Sequence, residues 1–248
     1  METLVKMEGV TKVFPGVRAL DNISFEIKAG EVHVLMGENG AGKSTLMKIL
    51  SGVYQPTSGK ITVKGKEFTH LTPKDSYECG ISIIYQELSV INELSILENL
   101  FVGKLPTRRV GGIRVVDYKG MTGRAQEVLD KVGLKRRPSQ LVEEISISEK
   151  QQCEIAKALI SNADVIIMDE PTRGIDVGAK GEIEALIREL SEKGISILMI
   201  SSEMAELERN CDRVVVIRDG RKMGELLGDE IRQDVIMEMI AGGGEDNE

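Results

Sequence analysis

Apolar and polar positions alternate from the start of the chain: Val5, Met7, Val10 and Val13, then Ala19, Ile23, Phe25 and Ile27. A period near two marks half-buried strands, and the intervening Pro15-Gly16 marks a turn, so short antiparallel strands are expected first. The run Val32-His33-Val34-Leu35-Met36 predicts a buried strand, and Thr45-Leu46-Met47-Lys48-Ile49-Leu50 a helix after a Gly-rich loop. Pro56-Thr57-Ser58-Gly59 predicts a turn, Lys60–Gly65 an exposed alternating strand, and Ile81–Tyr85 a strand ending at Gln86. From about residue 88 to 160 the pattern turns helical, with Val128, Leu129, Val132 and Leu134 fitting a period near 3.6. Within it, residues 104–117 read as a basic, Gly-containing loop. Strand and helix then alternate: a strand Val165–Met168, a helix near 178–193, a strand Ser196–Ile200, a helix near 203–208 and a strand Arg213–Ile217. The expectation is an α/β core of mostly parallel sheet, with an antiparallel β subdomain and an inserted α-helical subdomain.

A chain of 248 residues suits one large domain, or a main domain carrying an insertion. The net charge of −8 argues against a nucleic-acid binder. Trp is absent and aromatics total 3%, which weakens carbohydrate stacking and single-strand binding alike. Cys79, Cys153 and Cys211 lack C-x-x-C spacing, so neither a zinc site nor a disulfide framework is expected, and a reducing cytosol is favoured. No stretch approaches the roughly 18 apolar residues of a membrane span, so a membrane role would come through a partner.

The chemistry concentrates in two places. Residues 37–44, Gly-Glu-Asn-Gly-Ala-Gly-Lys-Ser, form a complete G-x-x-x-x-G-K-[ST] phosphate loop between strand and helix. Its glycines let backbone N–H groups, those of Asn39 and Ala41 included, close on phosphate oxygens at a helix N-terminus. Lys43 would reach the β- and γ-phosphates and the Ser44 hydroxyl would ligate Mg²⁺, so a nucleoside triphosphate is the expected ligand. The second place is Asp169-Glu170, at the end of an apolar strand. Asp169 is placed to hold Mg²⁺, and Glu170 to orient and deprotonate an attacking water. Gln86, at a strand end, is a candidate to touch Mg²⁺ or that water, against a plain surface position. Phe14 is either an adenine-stacking ring or a core residue. His33 and Cys153 read as core residues, and His70 as a solvated loop residue.

The order of these elements resembles the ATP-binding cassette (ABC) ATPases over roughly residues 3–240. Phe14 falls at the adenine-stacking loop, Gly37–Ser44 at the Walker A motif and Gln86 at the Q-loop. Ile145-Ser146-Ile147-Ser148-Glu149 falls at the signature, Val165–Glu170 at Walker B, Gly174-Ile175-Asp176 at the D-loop and Ile200-Ser201-Ser202 at the switch. The resemblance implies ATP and Mg²⁺ as ligands. Phe14, Gly37, Glu38, Asn39, Gly40, Ala41, Gly42, Lys43, Ser44, Thr45, Ser146 and Asp176 would bind nucleotide. Ser44, Gln86 and Asp169 would hold the metal, with Glu170, Gln86 and Ser202 in catalysis. It also implies one cassette over 1–240, with a core and β subdomain at 1–87 and 161–240, a helical subdomain at 88–160, and a flexible tail at 241–248.

A closer likeness is to the ATPases of bacterial ribose-, galactose- and xylose-type importers. Gly37–Lys48, Tyr85-Gln86-Glu87-Leu88 and Glu154–Leu159 resemble their N-terminal cassette, while 171–180 and 200–204 resemble the C-terminal one. The implied partners are transmembrane permease subunits, a periplasmic or extracellular solute-binding protein and a second cassette, at the cytoplasmic face of the membrane, with no nucleic acid. Three departures matter: the signature loses both glycines and gains Glu149, an unfavourable charge near a polyanion; Ser202 replaces the switch histidine; and one cassette mixes features of both halves of the tandem proteins, as an unusual single-cassette member or a joining of segments of the two. They leave two readings, a transport ATPase or a nucleotide-binding regulatory subunit with little turnover. A soluble ABC ATPase of DNA repair or translation is disfavoured by the acidic balance.

Overall fold

The computed structural model describes residues 2–201 and 210–241. In chain order the elements are β1 (Thr3–Phe14), β2 (Val17–Lys28), β3 (Val32–Met36), α1 (Lys43–Leu50), β4 (Ser58–Val63), β5 (Lys66–Phe68), α2 (Pro73–Glu78) and β6 (Ile81–Ile84). Then come α3 (Ile96–Leu100), β7 (Thr107–Val110), β8 (Ile113–Val116), α4 (Tyr118–Lys131), α5 (Ile147–Ile160), β9 (Val165–Asp169), α6 (Val177–Glu192), β10 (Ser196–Ile200), β11 (Arg213–Arg218) and β12 (Arg221–Leu227). A last helix spans Gln233–Ala241. The chain divides into two compact units.

The first unit comprises residues 1–83, 164–171 and 187–248. Its larger sheet has the order β12-β11-β3-β10-β9-β6. The strand β3 runs parallel to β10 and β11, and β9 parallel to β10, while β12 returns antiparallel to β11. All five β3 residues are buried, as a strand flanked on both sides requires. His33 is fully buried there, and the Lys28 N–H donates to its Nε2 at 3.2 Å. A Glu31 carboxylate oxygen also lies 3.1 Å from the same Nε2. Burial, with the Arg213 charge adding to it, pushes the His33 pKa down to about 3.

The smaller sheet, β2-β1-β4-β5, is antiparallel. Cross-strand pairs Val5–Ile27, Met7–Phe25 and Val10–Ile23 are all buried and give the sheet its inner face. A register shift between Met7 and Val10 changes the parity of the inward positions, so Val10 is buried and Val13, three residues on, is exposed. Lys60–Gly65, expected as an exposed strand, instead contributes to an inner strand whose Ile61 and Val63 are buried. Leu46, Met47, Ile49 and Leu50 of α1 join both sheets in one apolar core.

The second unit comprises residues 84–163 and 172–186. Here α3, α4 and α5 pack on one another around Leu100, Phe101, Met121, Leu129 and Cys153. The expected amphipathic stretch is α4, with Met121, Ala125, Val128 and Leu129 on its buried stripe. Buried Asn99 ties the loop before α3: its Oδ1 accepts the Ile91 N–H at 2.7 Å, and its Nδ2 donates to Ile91 O at 2.9 Å and Ser95 O at 3.0 Å. Residues 104–117 are not the expected loop, since they contain the antiparallel hairpin β7–β8 closed by Gly111-Gly112. Both glycines have positive φ, +57° and +85°, as a two-residue turn of type I′ demands. The helix expected near 203–208 and the tail from 242 lie outside the described residues.

Candidate functional site

The phosphate loop leaves β3 at Gly37, whose φ of +154° carries the chain tightly past β11. A Cβ at Gly37 would lie 2.1 Å from the Ile217 carbonyl oxygen, so no other residue fits that approach. The loop ends at Gly42, the N-cap of α1, with φ +107° and no side chain capping the helix. The first turn of α1 is Lys43-Ser44-Thr45 and holds no acidic residue, so no carboxylate of the helix itself offsets its positive dipole end. Lys43 folds back over the loop, donating from Nζ to Gly37 O at 2.6 Å and Glu38 O at 3.0 Å. Partial burial holds the Lys43 ammonium below its ordinary pKa, while Glu170 and then Asp169 act on it in the opposite sense.

Asp169 is the last residue of β9, and Glu170 follows it in the left-handed region at φ +48°. The Glu170 N–H is held by Ile200 O at 2.9 Å, which pins this strained residue beside the end of β10. Lys43, Asp169 and Glu170 therefore share one electrostatic neighbourhood at the carboxyl edge of the parallel strands, where open α/β sheets carry ligand chemistry.

In the second unit, Gln86 is exposed, two residues beyond the end of β6. The segment after it is anchored to α5: Ser89 donates to buried Glu154 at 2.7 Å, Lys157 donates to Ser89 at 3.0 Å, and Lys150 donates to Asn92 at 2.8 Å. Ser146 is the exposed N-cap of α5 and accepts the Glu149 N–H at 3.3 Å, while Glu149 accepts the Ser146 N–H at 2.9 Å. Asp176 precedes α6 and its Oδ1 accepts the Ala179 N–H at 3.0 Å. Ser202 lies outside the described residues.

Against this geometry, a family model described as ABC transporter matches residues 20–173, a span running through the phosphate loop, Ser146 and the Asp169-Glu170 pair. The chain belongs to the ABC transporter family. The cassette is 42% identical over 96% of its length to the D-allose import ATP-binding protein AlsA of Escherichia coli (strain K12), covering 47% of that protein. It is 45% identical to the ribose import ATP-binding protein RbsA of Clostridium perfringens (strain 13 / Type A), again over 96% of this chain and 47% of that one. The chain thus spans about half the length of the curated relatives it matches. Among solved structures, an ATP-binding cassette of an ABC transporter in its ADP conformation superposes with TM-score 0.86 at 26% identity, covering 98% of this chain and 100% of that one.

Two sequence expectations about the cassette change with the structure. Glu149 does not stand as a bare negative charge: Arg136 donates to it at 2.6 and 3.3 Å. Burial would raise the Glu149 pKa, but Arg136 and Ser146 together hold it below its ordinary value. The S-x-x-E spacing of Ser146–Glu149 is a readable capping box, whereas Arg136 carries no local signal. Phe14, placed by the resemblance at the adenine-stacking loop, is the last residue of β1, half-buried and edge-on to Tyr54 at 5.3 Å between centroids, with Lys12 Nζ 4.9 Å from its ring. Tyr54 is the site neighbour that sequence reading missed. For a metal, the cassette supplies the exposed Ser44 hydroxyl and the Asp169 carboxylate, hard oxygen donors that fit Mg²⁺ held jointly with substrate phosphates. Among the described residues there is no group of three or more His, Cys, Asp or Glu side chains that could hold a metal ion.

Proposed function

We propose that the cassette binds MgATP and hydrolyses it to drive import of a monosaccharide through a membrane transporter. The observation that carries this reading is Lys43, folded onto two loop carbonyls and electrostatically coupled to Glu170 and Asp169. A nucleotide's β- and γ-phosphates would take over from those carbonyls as partners of the ammonium, while loop and α1 N–H groups cradle the remaining oxygens. Ser44, Asp169 and Gln86 would hold Mg²⁺, which supplies neutralisation of phosphate charge when bound. Glu170 takes the proton of the attacking water, and its rigid placement by Ile200 serves that task. Phe14 would stack on adenine, Ser146 and Asp176 would serve the nucleotide, and Ser202 would stand at the switch.

The names of the ribose and D-allose import relatives support a monosaccharide as cargo. A solved ABC transporter cassette described as dimeric, with TM-score 0.75 at 26% identity, supports pairing with a second cassette. The import names of those relatives also support transmembrane permease subunits, a solute-binding protein and a station at the cytoplasmic face as partners and place. No helix among the described residues is long and apolar enough to cross a membrane.

Steady-state ATPase activity of the chain, across protein concentration and beside Lys43→Ala and Glu170→Gln, tests the reading. Turnover should rise more than linearly with concentration. Lys43→Ala should abolish MgATP binding, and Glu170→Gln should keep binding while losing about 10²-fold or more in turnover. Intact binding with no turnover in the unmodified chain would overturn hydrolysis and leave the regulatory subunit as the function.

A further inference from the structure

The β7–β8 hairpin carries a surface that nucleotide chemistry does not use. Every residue from Thr107 to Val115 is exposed, and the two strands form a sheet of their own. Such an isolated hairpin is marginal in water. Its tip is apolar: Val110 and Ile113 close the Gly111-Gly112 turn and are 49% and 70% exposed. One rung behind, Arg109 stands directly opposite Arg114. Like charges on facing positions repel, and neither arginine has an acidic partner among the described residues, whereas neighbouring Arg108 pairs with Asp117 at 3.8 Å. Residues 104–117 hold four cations against one carboxylate in a chain whose net charge is −8. The basic character is therefore local.

We infer that the β7–β8 hairpin is a membrane-surface anchor, with Val110 and Ile113 entering the acyl boundary and Arg109 and Arg114 binding anionic phospholipid headgroups. The order along the hairpin matches the depth profile of a lipid interface: apolar groups outermost, then guanidinium groups at the level where phosphates lie. A polyanionic surface relieves the Arg109–Arg114 repulsion, and the long arginine stems reach phosphate while their methylenes stay on apolar ground. The absence of side chains on Gly111 and Gly112 keeps the tip narrow. The inference stands apart from nucleotide binding, because it uses none of the residues assigned to it.

Co-sedimentation of the full chain with vesicles tests it, comparing phosphatidylglycerol–phosphatidylcholine mixtures with pure phosphatidylcholine. Retention should favour the anionic vesicles and fall as salt is raised through the range where the Debye length shrinks below about 10 Å. Arg109→Ser with Arg114→Ser should weaken partitioning about fivefold per arginine, roughly 30-fold for the pair. Val110→Ser with Ile113→Ser should weaken it about tenfold while preserving the salt dependence. MgATP binding, measured on the same preparations, should be unchanged by either pair. Equal retention on both vesicle types, or anionic retention indifferent to the arginine pair, would overturn the anchor and leave an acidic protein segment as the hairpin's occupant.

Discussion

Substituting Gly37 and Gly40 with alanine separates backbone strain from steric exclusion within one loop. Both glycines have positive φ, +154° and +86°, so each alanine incurs a conformational cost of about 1–2 kcal/mol. Each also gains about 0.4–1 kcal/mol by restricting the unfolded chain. They differ in what the new methyl meets. Nothing lies within 4 Å of a Cβ at Gly40, whereas at Gly37 the Ile217 carbonyl oxygen is 2.1 Å away. A carbon–oxygen contact settles near 3.3 Å, so β3 and β11 would have to part by about 1 Å at this point. The two strands are in register through Met36–Val216, one residue before the clash, so that movement loosens one or two ladder hydrogen bonds at about 1 kcal/mol each. Gly37→Ala should therefore cost about 2–4 kcal/mol and Gly40→Ala about 1 kcal/mol or less. In nucleotide-free thermal unfolding followed by circular dichroism, this is a drop of roughly 5–12 °C against one of 3 °C or less. Equal shifts in the two variants would refute the steric argument and reduce the loop's glycine requirement to conformation alone.

Three further outcomes follow from buried or paired polar groups. The folded pKa of His33 lies near 3, below an unfolded value near 6.5, so the unfolded chain binds the proton first as pH falls. The stability held above pH 6.5 is then lost between about 6.5 and 3, at about 1.4 kcal/mol per pH unit. In urea unfolding the unmodified chain should lose about 2 kcal/mol of stability between pH 6.5 and 5 that His33→Gln does not lose, and parallel curves of stability against pH for the two proteins would contradict this assignment. Asn99→Leu removes four hydrogen bonds at a buried position and should destabilise the helical unit by about 2–4 kcal/mol, with faster hydrogen exchange at the Ile91 amide. Arg136→Met removes the cation beside Glu149, so the Glu149 carboxyl should titrate at higher pH by NMR; an unmoved titration would show that Ser146 alone holds it.

How much of this was legible in the chain differs from element to element. The phosphate loop was written out whole, because its chemistry needs contiguous residues: a strand, closely spaced glycines, then Lys43 and Ser44 opening a helix. Asp169-Glu170 was legible for the same reason, an apolar strand ending in acids. The strand β12 and the helix Gln233–Ala241 were not anticipated. The β7–β8 hairpin reads as a loop because its four-residue strands are exposed on both faces and show no inward alternation, although Gly111-Gly112 is a usable turn signal.

What only the tertiary structure decided are relations between distant residues. It set Lys43 among the charges of Asp169 and Glu170, turned Tyr54 against Phe14, and gave Glu149 a neutralising arginine. It also set the register shifts along β1 that leave Val10 buried and Val13 exposed. Local pattern encodes what neighbouring residues must do for one strand, turn or cap. The register between strands and the pairing of charges across the core are properties of packing, where many distant side chains settle the outcome together.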